Sequence, residues 1–168
     1  MLRNWSTDPI RPYTNQTERI YKESDDEGSS SGATRSLVGE PSPLRHLFVY
    51  GTLRPGDVRW HILEPFVNGG GSPDTVSGEL FDTGNDYPAA VFGQEGVIQG
   101  RTYELHLTKW EQCLAVLDEV EGTVAGFYHR VEVATHRGTT AWSYSYGTGL
   151  NLTRIPSGDW LAHRSPSR

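Results

Sequence analysis

The sequence predicts a small α+β protein built on a curved sheet or partial barrel. Two observations carry that reading. Short strand-like segments predominate along the chain, and only two helical patterns interrupt them. The length, 168 residues, suggests a single domain.

Composition narrows the function. The net charge is −6 and no basic stripe offsets it, which argues against nucleic acid as a partner. No run approaches the roughly 20 apolar residues that cross a bilayer. The N-terminal stretch has no apolar core of a secretory signal, and Cys113 is the only cysteine. Both features fit a reducing, cytoplasmic setting.

Residues 1–45 read as a separate tail. Tyr21 to Gly32 is acidic and then Ser/Gly-rich, and such a run buries too little apolar surface to offset the entropy of ordering. The tail reads as a solvated extension or an interaction arm. Pro41-Ser42-Pro43 resists helix and leads into the domain, expected over 46–163, with 164–168 a frayed end.

The domain opens on Leu47-Phe48-Val49-Tyr50, an apolar run that predicts a buried strand, followed at once by Gly51-Thr52-Leu53-Arg54-Pro55-Gly56. Gly51 has no Cβ, so other groups approach its backbone closely. The N–H groups of Thr52 and Leu53 belong to no ladder. Free amides at a strand end suit a carbonyl oxygen or a carboxylate, although many buried strands end in a glycine turn for packing alone. Asp57 then caps a predicted helix to about Val67, with Val58, Ile62, Leu63 and Phe66 near one face. Strands are expected over 76–81, 89–92 and 97–105. The polar turn from Asp82 to Pro88 between the first two has the make-up of a site-lining loop.

The clearest helix starts at Thr108-Lys109-Trp110-Glu111, which reads as a capping box. Trp110, Cys113, Leu114 and Leu117 share one face, so Cys113 reads as core. Asp118 and Glu119 are expected to face water. Glu121 has two readings. A helix that runs on places it on the apolar face, where an unpaired acid finds a partner or a raised pKa. A helix that ends at Val120 leaves it solvated before Gly122. Tyr128 to Val133 and Ala141 to Tyr146 then form a hairpin around His136-Arg137-Gly138-Thr139, its aromatics read as sheet packing. Ile155 to Trp160 closes the domain.

The six histidines are scattered without a His-x-x-x-His pair, and neither a phosphate loop nor a dinucleotide fingerprint is present. The expected chemistry therefore needs no metal and no cofactor.

Five landmarks in order resemble one family. They are Phe48-Val49-Tyr50-Gly51-Thr52-Leu53-Arg54-Pro55-Gly56, Asp82-Thr83-Gly84 to Tyr87-Pro88-Ala89, Gly100 to Leu105, Leu117-Asp118-Glu119-Val120-Glu121-Gly122, and Tyr128-His129-Arg130. Together they resemble the γ-glutamylcyclotransferase-like proteins, over about Leu47 to Leu161. The resemblance implies a compact mixed β-barrel with short helices. It also implies cyclisation of a small γ-glutamyl substrate to 5-oxoproline, without cofactor or metal. Glu121 takes the place of the family's catalytic Glu, and Tyr50, Gly51, Thr52 and Leu53 that of its glutamyl-holding loop. Tyr87 and Tyr128 match positions that line the family pocket. Arg54 reads equally as a substrate-carboxylate partner or a surface charge. The alternative reading is a module on the same fold that binds a small ligand without turning it over.

Overall fold

The computed structural model describes residues 42–123 and 126–164. The predicted tail to residue 41 and the end from 165 lie outside the described residues. Just before the first strand, the Leu44 carbonyl accepts the Trp142 indole N–H at 3.1 Å, and Arg45 meets Glu104 at 3.0 Å.

Six strands form one mixed sheet in the order β4-β5-β1-β3-β2-β6. They are β1 (His46–Val49), β2 (Ser72–Asp82), β3 (Pro88–Glu104), β4 (Tyr128–Ala134), β5 (Thr140–Tyr146) and β6 (Thr153–Arg154). Among the described residues, three short α-helices decorate the sheet: α1 (Trp60–Leu63), α2 (Trp110–Val120) and α3 (Trp160–Arg164). The first strand of the sequence sits in the middle, antiparallel to β3 and parallel to β5, with Leu47 opposite Trp142. The sheet then curls until β2 meets the end of β4. Val76 bridges Thr135, the His136 N–H donates to the Thr75 carbonyl at 2.8 Å, and the His136 ring bonds the Thr75 and Ser77 hydroxyls. The result is the curled half-barrel that the sequence predicts.

A central strand is buried on both faces, which explains the unbroken apolar run from Leu47 to Tyr50. Side chains alternate across it. Leu47 and Val49 join a cluster with Leu63, Leu105, Cys113, Leu114 and Leu117 under α1 and α2. Phe48 and Tyr50 join the other, with Val76, Leu80, Ile98 and Trp160. Each fully buried Leu or Ile contributes roughly 1.5–3 kcal/mol over exposure, so these clusters hold the curl. Cys113 is fully buried, and burial pushes its thiol up to about 12. Iodoacetamide at pH 8 is therefore expected to leave the native protein unlabelled and to label it only in denaturant, as intact mass spectrometry would show; rapid native labelling contradicts this packing.

Five local expectations change. The pieces at 89–92 and 97–105 are parts of one strand, β3, and both pair with β2. The register steps from Ser77 opposite Val97 to Gly78 opposite Phe92, so residues 93–96 bulge out of the ladder. The helix expected over 57–67 shrinks to α1 and a 3-10 turn, Glu64–Phe66, because Pro65 cannot donate within a longer helix. Asp57 is no helix cap; one carboxylate oxygen takes the Val58 N–H and the Arg164 guanidinium. The capping box at Thr108 does not form. Residues 107–109 make a turn, and the Cys113 N–H donates to the Lys109 carbonyl, so α2 starts one residue later than the box requires. Finally, Asp118 is only partly solvated. Its carboxylate accepts the Tyr144 hydroxyl at 2.8 Å and Arg130 at 2.9 Å, whereas Glu119 is exposed as expected.

Candidate active site

One pocket opens where β1 gives way to its turn. Its lining includes Tyr50, Gly51, Thr52, Leu53, Arg59, Tyr87, Pro88, Glu121 and Tyr144, around about 400 Å³ of space that includes the open mouth. The geometry therefore brings together six of the seven residues singled out from the sequence. The seventh, Tyr128, stands directly behind: its hydroxyl donates to the Pro88 carbonyl at 2.9 Å, and its ring packs edge-on against Tyr87, centroids 6.4 Å apart.

The floor is the turn after β1. The Arg54 N–H closes it onto the Gly51 carbonyl at 3.1 Å, and the Arg59 N–H ties back to the Thr52 carbonyl at 3.0 Å. Among the described residues, the N–H groups of Thr52 and Leu53 find no acceptor, while both residues are only 5% exposed. Buried donors without acceptors are uncommon and mark a place for a ligand oxygen. Gly51 is required by crowding. A Cβ there would lie 2.8 Å from the Pro88 Cγ, closer than real Cβ contacts allow. Tyr50 turns its hydroxyl to the Tyr144 carbonyl at 2.6 Å.

Glu121 combines features of both readings made from the sequence. The helix does end at Val120, and Glu121 caps it, its N–H held by the Leu117 carbonyl at 2.8 Å. Gly122 follows with φ +66°, the left-handed turn that ends many helices. That turn swings the Glu121 side chain into the pocket rather than into water. Among the described residues its carboxylate has no hydrogen-bond or ion-pair partner. Burial pushes its pKa up to about 7, and the nearby positive charge of Arg59 only partly offsets this. The Glu121 charge also reaches Tyr50, Tyr128 and Tyr144, whose hydroxyls burial already holds well above the ordinary tyrosine range. A carboxyl poised near neutrality beside two free amides can move a proton next to a polarised carbonyl.

Arg54 is not among the lining residues, and its guanidinium meets Asp159 at 3.3 Å. Two lining residues escaped the sequence reading. Tyr144 looked like sheet packing because aromatics alternate along β5. Arg59 sat inside an expected helix where an exposed arginine is ordinary. Its guanidinium stacks over the Tyr87 ring, 5.7 Å from the centroid. No local signal marked it, since Tyr87 reaches it from a distant turn. Among the described residues, no cluster of three His, Cys, Asp or Glu side chains is placed to hold a metal ion, and no helix is long and apolar enough to cross a membrane.

The comparisons converge. Residues 47–162 match the family model described as gamma-glutamyl cyclotransferase, AIG2-like. A protein of Niallia circulans named gamma-L-glutamyl-butirosin B gamma-glutamyl cyclotransferase is 30% identical over 133 residues, 72% of this chain and 78% of its own length. A Halalkalibacterium halodurans protein, assigned by name to the gamma-glutamylcyclotransferases, is 36% identical over 93 residues, 51% of this chain and 80% of its own. The crystal structure of an uncharacterized protein from Pyrococcus horikoshii superposes with a TM-score of 0.55 at 27% identity, covering 73% of this chain and 98% of that one.

Proposed function

The chain belongs to the gamma-glutamyl cyclotransferase, AIG2-like family, and from that premise we propose that it converts a γ-glutamyl amine or γ-glutamyl-tagged metabolite to 5-oxoproline and free amine, with Glu121 as general acid and base. The observation that carries the proposal is the unpartnered Glu121 carboxylate, raised to about 7, in one pocket with the free amides of Thr52 and Leu53.

The reaction is an internal transfer, and its atoms balance without water. Ionised Glu121 takes a proton from the substrate's α-amine. The amine nitrogen attacks the γ-carbonyl carbon of the same molecule and closes a five-membered ring. Tethering makes this attack effectively unimolecular, so the protein's task is to fold the glutamyl chain into register. The carbonyl oxygen becomes an oxyanion, which the Thr52 and Leu53 N–H groups face. Collapse breaks the original carbon–nitrogen bond, and protonated Glu121 returns its proton to the departing amine. The residue ends as it began, which suits a group near neutrality: a stronger acid would be a poor base, a weaker one a poor donor.

The test uses the purified chain with γ-glutamyl amino acids, ε-(γ-glutamyl)lysine and simple γ-glutamyl amines, with products read by mass spectrometry. 5-Oxoproline with the free amine supports the reading. Free glutamate would mean water attacks instead, and ligand-induced thermal stabilisation with no product would favour a binding module. A pH profile adds a second check. Because the base acts ionised, kcat/KM should rise with pH through a limb centred near 7. Arg59→Gln should move that limb to higher pH, since Arg59 holds the Glu121 value down. A limb that belongs to the substrate's own amine would stay where it is.

A further inference from the structure

We propose that α3 is a clamp. It ties together, from outside, the two loops that build the pocket, and Asp57 and Arg164 are positioning residues that hold those loops at their working separation.

Three side-chain contacts run from α3 and its cap to the loops. Asp159 caps the helix: one carboxylate oxygen takes the Leu161 and Ala162 N–H groups at 3.0 and 3.4 Å. The same oxygen meets Arg54, in the glycine turn, at 3.3 Å. Arg164, at the other end of the helix, meets Asp57 just past that turn at 2.8 Å. His163 meets Asp82 at 2.8 Å, where β2 enters the turn that carries Tyr87. No residue of α3 lines the pocket. The helix itself is anchored. Trp160 is 2% exposed in the cluster with Phe48 and Tyr50, and the Gln99 N–H on β3 donates to the Gly158 carbonyl at 2.8 Å.

The two loops also meet directly, where Gly51 packs against Pro88. Packing of that kind stops the loops closing further but resists their parting only weakly, since each atomic contact is worth little. The α3 contacts supply the missing restraint. Their bonding is not the most stable available. Of the four buried side-chain polar atoms without a partner among the described residues, three belong to this junction: Arg54 Nε, Asp57 Oδ2 and Trp160 Nε1. The Asp57 side chain is 4% exposed, one oxygen shared by Arg164 and the Val58 N–H and the other bare. A buried ion pair so placed adds little stability over an apolar substitute, yet removing one partner is costly. What it does fix is geometry, and departures from the best local bonding gather where function sets the geometry.

The kinetic consequence rests on the proposed reaction, whereas hydrogen exchange reads the clamp without any substrate. Arg164→Gln is expected to speed amide exchange in both 51–58 and 83–87, as followed by mass spectrometry, while the β4–β5 hairpin keeps its protection. On the γ-glutamyl compound that the wild type turns over fastest, kcat is expected to fall about 10- to 100-fold, with KM within about threefold of wild type. The variant also melts lower, because the Asp57 charge is left buried alone. Asp57→Asn/Arg164→Gln removes that charge and should recover melting temperature without recovering kcat. Arg45→Gln, which breaks the Arg45–Glu104 pair at the other end of β1, should leave kcat and both loops unchanged. Unchanged exchange in either loop of Arg164→Gln, or unchanged kcat, overturns the inference. So does a double variant whose kcat returns with its melting temperature, which would make the pair merely structural. A wild type that forms no 5-oxoproline sinks the reaction instead, and exchange in the two loops then decides the clamp alone.

Discussion

Glu121→Gln is expected to lower kcat/KM on any γ-glutamyl substrate by about a thousandfold, in line with the loss of a proton-transfer group, while making the folded protein more stable. The two effects have one cause. In the folded state the Glu121 carboxyl titrates near 7, against an ordinary value of 4.5. The folded protein therefore holds this proton more tightly than the unfolded chain. Between about pH 4.5 and 7, unfolding releases the proton, so stability falls as pH rises, and above 7 the full penalty of a buried charge applies. That penalty is about 3 kcal/mol. Gln fills nearly the same volume and never ionises. The variant should thus melt several degrees higher than wild type at pH 8, with the difference fading towards pH 4.5. Calorimetric melting across pH, beside the product assay, checks both halves. An inactive variant that also melts lower would point to a structural glutamate, and a fully active one would remove Glu121 from the chemistry.

Gly51→Ala is expected to cost about 10- to 100-fold in kcat/KM and about 1–3 kcal/mol of stability. The added methyl would come within 2.8 Å of Pro88 Cγ and 3.0 Å of Cδ. The proline ring has little room to give, because Pro88 is buried and Tyr128 holds its carbonyl. The backbone must move instead, and it carries the Thr52 and Leu53 amides on one side and Tyr87 on the other. Urea unfolding and steady-state kinetics measure the two losses. Removing the opposing ring as well, in Gly51→Ala/Pro88→Ala, should return part of the stability, since the two changes act on one contact. Wild-type kinetics in the single variant would show that this crowding does not position the site.

Much of the site was legible because its parts are short and chemically loud. An apolar run ending at Gly51 identifies a buried strand with a turn, whereas Leu117 four residues before Glu121 leaves the acid either on an apolar face or solvated past the helix end. What failed depends on context beyond a few residues. Thr108 and Glu111 have capping chemistry, yet a turn at 107–109 sets the helix start one position on. Asp118 reads as solvated by spacing, and only the fold brings Tyr144 and Arg130 to it. The segments 89–92 and 97–105 read as two strands because the sequence between them breaks the alternation. Pairing with β2 on both sides of that break makes them one. Arg59 shows the limit most clearly, since nothing near it in sequence marks it as a residue that lines the pocket.

The central place of β1 has a consequence for how the protein is made. Its partners lie far along the chain: the Ser143 hydroxyl bonds the Phe48 carbonyl across 95 positions, and the Tyr50 hydroxyl bonds the Tyr144 carbonyl across 94. Pairings of such range close large loops and form slowly. During synthesis the glycine turn emerges well before the strand that braces it. The hairpin of β2 and β3 can form while β1 still lacks one neighbour. The pocket is thus completed only when the sheet is, and a chain halted before β5 would carry Glu121 and the turn without Tyr144, which lines the pocket beside them.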